Sequence, residues 1–191
     1  MTRICLVRHG ETDWNALGML QGKTDIPLNH KGINQAKECG EFLKSATWDV
    51  VVTSPLTRAK QTAEIVSSFI DKPLIEMAEF IERDYGDAEG MTVEERMTTY
   101  PNKNYPNQED RLSLTKRIMK GLEQIRQKWE GKSVIVVAHG AVINAILGEL
   151  SNGEIGSDKT RLRNACLNNI EHVDDVWNIK DFNLVAHLTK L

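Results

Sequence analysis

VVVTSPLTRAKQTAEIVSSFI, residues 50–70, sets two patterns end to end. Val50-Val51-Val52-Thr53 is β-branched and shows no polar/apolar alternation, as expected of a strand covered on both faces. Ser54-Pro55 then opens a helix with proline at its first position, and Leu56, Ala59, Ala63, Val66 and Ile70 form its inner stripe. A doubly covered strand followed by an amphipathic helix is the repeating unit of a parallel sheet.

Working outward, the same alternation recurs. Ile4 to Val7 is a buried strand, and Ile33, Ala36, Gly40 and Leu43 recur at helical spacing behind an N-cap at Asn29, predicting a helix over about 30–45. Thr92 with Glu95 makes a capping box. Leu114, Ile118, Leu122, Ile125 and Trp129 mark a longer amphipathic helix, whose Lys116, Lys120, Glu123 and Arg126 read as a solvated face. Ser133 to Ala138 is an apolar strand, Ala141 to Leu150 a helix, and Asn164 to Asn183 alternates around Asp174-Asp175 like a hairpin. The expected fold is α/β: a three-layer sandwich with a mostly parallel central sheet and helices on both faces. Such sheets bind ligands beyond the carboxyl ends of their strands.

Composition narrows the partner. With 191 residues, 40% hydrophobic and 27% charged, the chain fits one domain. A net charge of −3 lacks the basic excess of a nucleic-acid or membrane-surface binder, so the expected partner is a small molecule, with no nucleic acid and no membrane. Cys5, Cys39 and Cys166 are odd in number and contain no C-x-x-C pair, so neither a disulfide framework nor a zinc site is suggested. Without an apolar signal segment or a stretch of about 18 apolar residues, the expected location is cytoplasmic.

Three strand ends carry similar cargo: Arg8-His9-Gly10, Ser54-Pro55-Leu56-Thr57-Arg58, and His139-Gly140. Alone, Arg8 or Arg58 reads as a surface ion-pair partner and His139 as a hydrogen-bonded histidine. Gathered on one rim they repel one another unless an anion joins them, and a phosphoryl group accepts hydrogen bonds from all of them. The helices expected to start at Pro55 and Gly140 would aim free N–H groups at the same anion. His30, His172, His187 and Lys103 are read as structural or surface residues.

The stretches VRHGETDWN, LQGKTDIPLNHKGINQAK, TSPLTRAKQTAEI, ERDYGDAEG and VAHGAVINAIL, in this order from Thr2 to about His187, resemble the successive motifs of the histidine phosphatase superfamily, the phosphoglycerate mutase-like family. The resemblance implies that fold over residues 1–191 as a single domain, with a small cap segment at about 87–113. It implies that His9 is the nucleophile that becomes phosphorylated, that Arg8, Arg58 and His139 hold the transferred phosphoryl oxygens, and that Glu82 is the proton donor. Glu79, Asp84, Asp87 and Glu89 compete for that last role, and Glu82 is preferred on its spacing to Gly86. Asn15 resembles a further phosphate contact, Gln21 and Gly22 the loop lining the pocket, and Arg83 and Tyr85 substrate contacts beside the acid.

The chemistry agrees. Charge in phosphoryl transfer spreads over equatorial oxygens, so enough fixed cations replace a metal, and no metal or cofactor is expected. Arg58 is expected to act on that charge rather than on the fold. The reading is a histidine acid-type phosphatase, a phosphoric monoester hydrolase acting on small phosphate esters. The alternatives are a mutase-type phosphotransferase and a catalytically weak phosphate-binding module. ERDYG is close to the mutases' E-R-H-Y-G, but the interval from Glu82 to His139 is shorter than theirs, and HGAVINAIL is closer to the phosphatases' H-G-G-V-I-R-A-L-L. Met19 and Ala88 depart from common arginine and tryptophan. TYPNKNYPNQEDR is expected to be a specificity lid, and a homodimer is left open.

Overall fold

The computed structural model describes residues 1–189 and runs, in chain order, β1 (Thr2–Arg8), α1 (Asp13–Ala16), α2 (His30–Leu43), β2 (Val50–Thr53), α3 (Thr57–Ile70), β3 (Leu74–Glu76), α4 (Val93–Thr99), α5 (Arg111–Lys128), β4 (Ser133–Ala138), α6 (Gly140–Leu150), β5 (Leu167–Val173) and β6 (Val176–Leu184). The six strands form one sheet in the order β3-β2-β4-β1-β5-β6. The pairs β3/β2, β2/β4 and β4/β1 are parallel, while β5 runs antiparallel to β1 and β6 antiparallel to β5.

Alternate residues of the central strands face opposite layers. Ile4, Leu6, Val50, Val52, Val134 and Val136 pack with Ile118, Leu122 and Ile125 of α5 and with Val142, Ile143 and Ile146 of α6. Cys5, Val7, Val51, Ile135 and Val137 pack with Cys39 and Leu43 of α2 and with Ala59, Ala63 and Val66 of α3. Because neither face meets water, the strands show no alternation in sequence. Each fully buried aliphatic side chain stabilises the sandwich by about 1.5–3 kcal/mol.

Local signals act as expected at several ends. The Asn29 side chain caps α2 through Gly32 N, Thr92 and Glu95 close the capping box on α4, and Asp174 and Asp175 turn the β5–β6 hairpin at φ 48° and 62°. Two expectations are corrected. The helix after β2 starts at Thr57, not at Pro55, because the Asp25 carboxylate takes Thr57 N (2.7 Å) and Oγ1 (2.8 Å) and fixes the first turn there. Leu56 is therefore the N-cap and not part of the inner stripe. Asp110 caps α5 through Ser113 N, so this helix begins at Arg111, at the end of the expected cap segment. The short β3 gave no sequence signal, being three partly exposed residues at the sheet edge.

Candidate active site

Register brings the strand ends together. Arg8 pairs with Ala138 and Thr53 with Val137, while His9 N donates to Ala138 O at 3.0 Å and Ser54 N to Val137 O at 3.1 Å. With β4 seated between β1 and β2, His9, His139 and Ser54 leave the sheet side by side. The chain can turn after His9 because Gly10 packs on Gly32 of α2: a Cβ on Gly10 would lie 2.4 Å from Gly32 O.

The His9 and His139 rings sit 5.2 Å apart, both buried. His9 Nδ1 lies 2.7 Å from Gly10 O, and a carbonyl only accepts, so Nδ1 carries the proton and Nε2 keeps a free lone pair. Burial, followed by the charges of Arg58 and Arg8, holds the His9 pKa well below the usual histidine value. His139 Nε2 lies 2.8 Å from Ser54 Oγ, and burial followed by Arg58 pushes its pKa down as well. Arg8 Nη1 donates to Leu162 O. Arg58, entirely buried, donates to Gly22 O at 2.7 Å and Thr24 O at 3.0 Å, and burial lowers its pKa to about 10, still cationic at neutral pH. Three buried nitrogens, Arg8 Nε, Arg58 Nε and His139 Nδ1, have no hydrogen-bond partner among the described residues; the two arginine nitrogens are donors, and His139 Nδ1 is one in the tautomer in which Ser54 Oγ donates to Nε2. Such groups are costly unless something accepts from them.

Glu82 enters from the loop after β3. Its Oε1 accepts from Arg83 N at 2.9 Å and its Oε2 from Ala141 N, in the first turn of α6, at 3.1 Å. Burial raises its pKa above the usual carboxylate value, against the lowering effect of those N–H groups and of Arg58 and Arg8. Glu82 lines a cavity of about 630 Å³ together with Arg8, His9 and Gly140, and none of the four competing carboxylates does. Glu89 holds the backbone N–H groups of Lys23, Thr24 and Tyr85, Asp84 holds Gly86 N and Lys23, and Asp87 accepts from Asn107.

Asn15, Gln21 and Tyr85 line the same cavity. Asn15 Oδ1 accepts from Thr12 N and Asn164 Nδ2, which leaves its own Nδ2 for a ligand. Gln21 accepts from Thr12 Oγ1. Gly22 does not line the cavity: it packs against Arg83 O and the Glu89 carboxylate and serves as a carbonyl acceptor for Arg58. Arg83 faces a second, outer cavity, with Nε on Glu109 O, Nη2 on Gln108 and its guanidinium over the Tyr85 ring. The expectation of free N–H groups aimed at an anion fails for α3, whose first turn is closed by Asp25, and in α6 the Ala141 N–H is taken by the Glu82 carboxylate.

Residues without a sequence signal complete the site. Thr62 Oγ1 accepts from Gly10 N, Asn164 donates to His9 O, and Arg117 of α5 donates to the carbonyls of Glu79, Ile81 and Glu82. Each lies far from its partner in sequence, and only Arg117's spacing between Leu114 and Ile118, beside the inner stripe, hinted at it. His187 bonds Ala165 O and His172 packs on Trp177, as structural histidines do. Among the described residues no group of three His, Cys, Asp or Glu is placed to hold a metal, and no helix is long and apolar enough to cross a membrane.

Comparison with known proteins places this geometry. Residues 4–185 match the model of the histidine phosphatase superfamily, branch 1. The chain is 54% identical over 99% of its length to an uncharacterised phosphatase, PhoE, of Bacillus subtilis, covering 98% of that protein. It is 35% identical over its whole length to a metal-independent phosphoserine phosphatase of Arabidopsis thaliana, covering 85% of it, and named phosphoglycerate mutases are also among the relatives. The solved structure of Bacillus stearothermophilus YhfR superposes with a TM-score of 0.90 at 26% identity, over 98% of this chain and 99% of that one.

Proposed function

The chain belongs to the histidine phosphatase superfamily, and from that premise we propose that it is a metal-independent phosphomonoesterase acting on small phosphate esters through a phosphohistidine on His9. The observation that carries the reading is the set of buried nitrogens without a partner, Arg8 Nε, Arg58 Nε and His139 Nδ1, on two arginines whose charges act on His9 and a histidine ring 5.2 Å from it, beside a His9 Nε2 that is free. His9 Nε2 attacks phosphorus and the ester P–O bond breaks. The departing oxygen takes the Glu82 proton, and the three donors hold the phosphoryl oxygens as charge spreads over them. The Glu82 carboxylate then removes a proton from water, which attacks phosphohistidine, releases inorganic phosphate and restores His9. The two protonation demands are compatible: transfer needs a neutral His9 and a protonated Glu82, and burial lowers the first pKa while raising the second. The relatives named as phosphatases, one of them metal-independent, support the same direction.

The test is turnover of p-nitrophenyl phosphate by the purified chain, with alkaline quenching and intact-mass measurement. One added phosphoryl group, absent from His9→Ala, is expected. Incubation with 3-phosphoglycerate and a trace of 2,3-bisphosphoglycerate should release phosphate. Rapid interconversion of the monophosphates without release would overturn hydrolysis in favour of transfer.

A further inference from the structure

Arg8 is a wall shared by two openings. On one side lies the cavity holding His9, and on the other a further cavity of about 590 Å³, between α2 and the segment that joins α6 to β5. Four cationic side chains line this further cavity, Arg8, Lys31, Arg161 and Arg163, against one carboxylate, Glu11, in a chain whose net charge is −3. That carboxylate is already engaged, accepting from Asn29 Nδ2 at 3.0 Å and pairing with Lys31 Nζ at 3.4 Å. Arg161 and Arg163 have no ion-pair partner among the described residues. Burial chiefly, and Arg161 in addition, lower the Arg8 pKa, as happens when cations crowd together with no anion between them.

The backbone that presents the two arginines is held from both sides. Asn183 of β6 donates through Nδ2 to Arg161 O at 3.2 Å and accepts through Oδ1 from Arg163 N at 2.9 Å, while Leu162 O between them accepts from Arg8 Nη1. Arg161 and Arg163 are exposed and Leu162 is buried, the alternation of extended chain, which sets the two arginines on one side, roughly 6–7 Å apart along the backbone. Across from them Gln35 of α2, almost fully buried, accepts from Glu11 N through Oε1 at 2.9 Å, which orients its amide and leaves Nε2 as a donor for the cavity it lines.

We propose that this cavity is a second anion site, which takes the triphosphate group of inorganic triphosphate or of a nucleotide, and that its occupant and a phosphoryl group at His9 weaken each other's binding across Arg8. A single carboxylate or phosphate would offset only part of the charge, whereas a linear triphosphate lays successive anionic groups along Arg161 and Arg163 and reaches Lys31 and Gln35 Nε2. Both anions draw on one guanidinium and repel each other, so each lowers the affinity of the other by the same factor. The proposal uses the reading that the His9 cavity takes a phosphoryl group and needs nothing from the hydrolytic step.

The test is calorimetric titration of inorganic triphosphate and of ATP into the purified chain, alone and with saturating orthovanadate, a phosphoryl mimic that fills the His9 cavity. Binding should persist with vanadate and weaken by about 5-fold or more. Lys31 and Arg163 line only the further cavity. In Arg163→Gln/Lys31→Gln the affinity for triphosphate under vanadate should therefore fall by about 10-fold or more, the worth of a charge-assisted hydrogen bond. Vanadate affinity without triphosphate should stay within about twofold, because exposed charges at that distance are screened. Tighter binding of ATP than of triphosphate assigns the site to a nucleotide, and equal or weaker binding assigns it to the triphosphate group alone. Loss of all triphosphate binding under vanadate, or a double variant that binds as the wild type does, would overturn the second site, and equal affinity with and without vanadate would overturn the coupling. If vanadate itself does not bind, the phosphoryl reading of the His9 cavity has failed, and the double variant decides the second site in the vanadate-free chain.

Discussion

Burial decides what each side chain at the centre can do. Glu82, wrapped in the protein and holding two backbone N–H groups, keeps its proton to higher pH than a surface carboxylate. An alkyl phosphate must expel an alkoxide, so Glu82→Gln should slow it by about 10² to 10⁴, the usual share of general acid catalysis. A nitrophenolate leaves unaided, so Glu82→Gln should still be phosphorylated by p-nitrophenyl phosphate, and the phosphoenzyme should accumulate because nothing activates water. In pH profiles of kcat/KM for an alkyl ester, the wild-type chain should lose activity on the alkaline side as Glu82 ionises. Glutamine has no proton to lose, so that limb should vanish, while ionisation of the substrate affects both proteins alike. Equal slowing of alkyl and aryl esters would show that Glu82 is not the acid. Arg58 is a different case, for it was expected to serve the phosphoryl charge and not the fold, yet it also holds the carbonyls of Gly22 and Thr24 in a fully buried setting. Arg58→Ala should cut turnover by about 10² or more. Two stranded carbonyls at roughly 1–3 kcal/mol each should also lower the melting temperature by on the order of 10 °C in a chain of this size. A turnover loss with unchanged melting would refute the structural half of this assignment.

At the scale of elements, α5 holds the proposed acid in place through Arg117, which lines neither the His9 cavity nor the outer one. Arg117 donates to the carbonyls of Glu79, Ile81 and Glu82 and pairs through two nitrogens with Glu109, whose backbone N in turn donates to Asp84 O. The loop is thereby pinned between α5 and the segment that precedes it. Arg117→Met should let Glu82 drift, and a shift of about 1 Å costs on the order of 10²-fold in a positioned group. The informative reading is the ratio of alkyl to aryl ester turnover, which should fall by roughly 10-fold or more, because only alkyl esters depend on the acid. A general loss of folded protein would move both rates together and leave the ratio unchanged.

For the whole molecule, three parallel strand ends, one loop and the first turn of α6 bring Arg8, His9, Arg58, Glu82 and His139 to one rim. In the proposed reaction, the charge stabilisation that a metal ion can provide comes from Arg8, Arg58 and His139. Activity should therefore survive exhaustive chelation: prolonged dialysis against EDTA is expected to leave kcat within about twofold, and a loss restored by magnesium would contradict the assignment.

Sequence by itself determined the layers and the reacting types. Val50 to Thr53 and Ser133 to Ala138 read as doubly covered strands because apolar burial on both faces erases alternation, and Asn29, Thr92 and Asp174-Asp175 announced their ends through local chemistry confined to three or four residues. Arg8, His9, Arg58, Glu82 and His139 were legible because they stand in ordered motifs. Only the tertiary structure decided the rest. Strand order and register, which place β4 between β1 and β2, bring His9 within 5.2 Å of His139 across 130 residues of chain. The start of α3 was settled by Asp25, what Glu89 and Asp84 hold instead of the cavity by the N–H groups each accepts, and the placement of Arg117 by partners distant in sequence. Capping and periodicity are local forces and leave a local record, whereas pKa, positioning and unsatisfied donors depend on which groups folding brings together, and no short stretch of sequence records that.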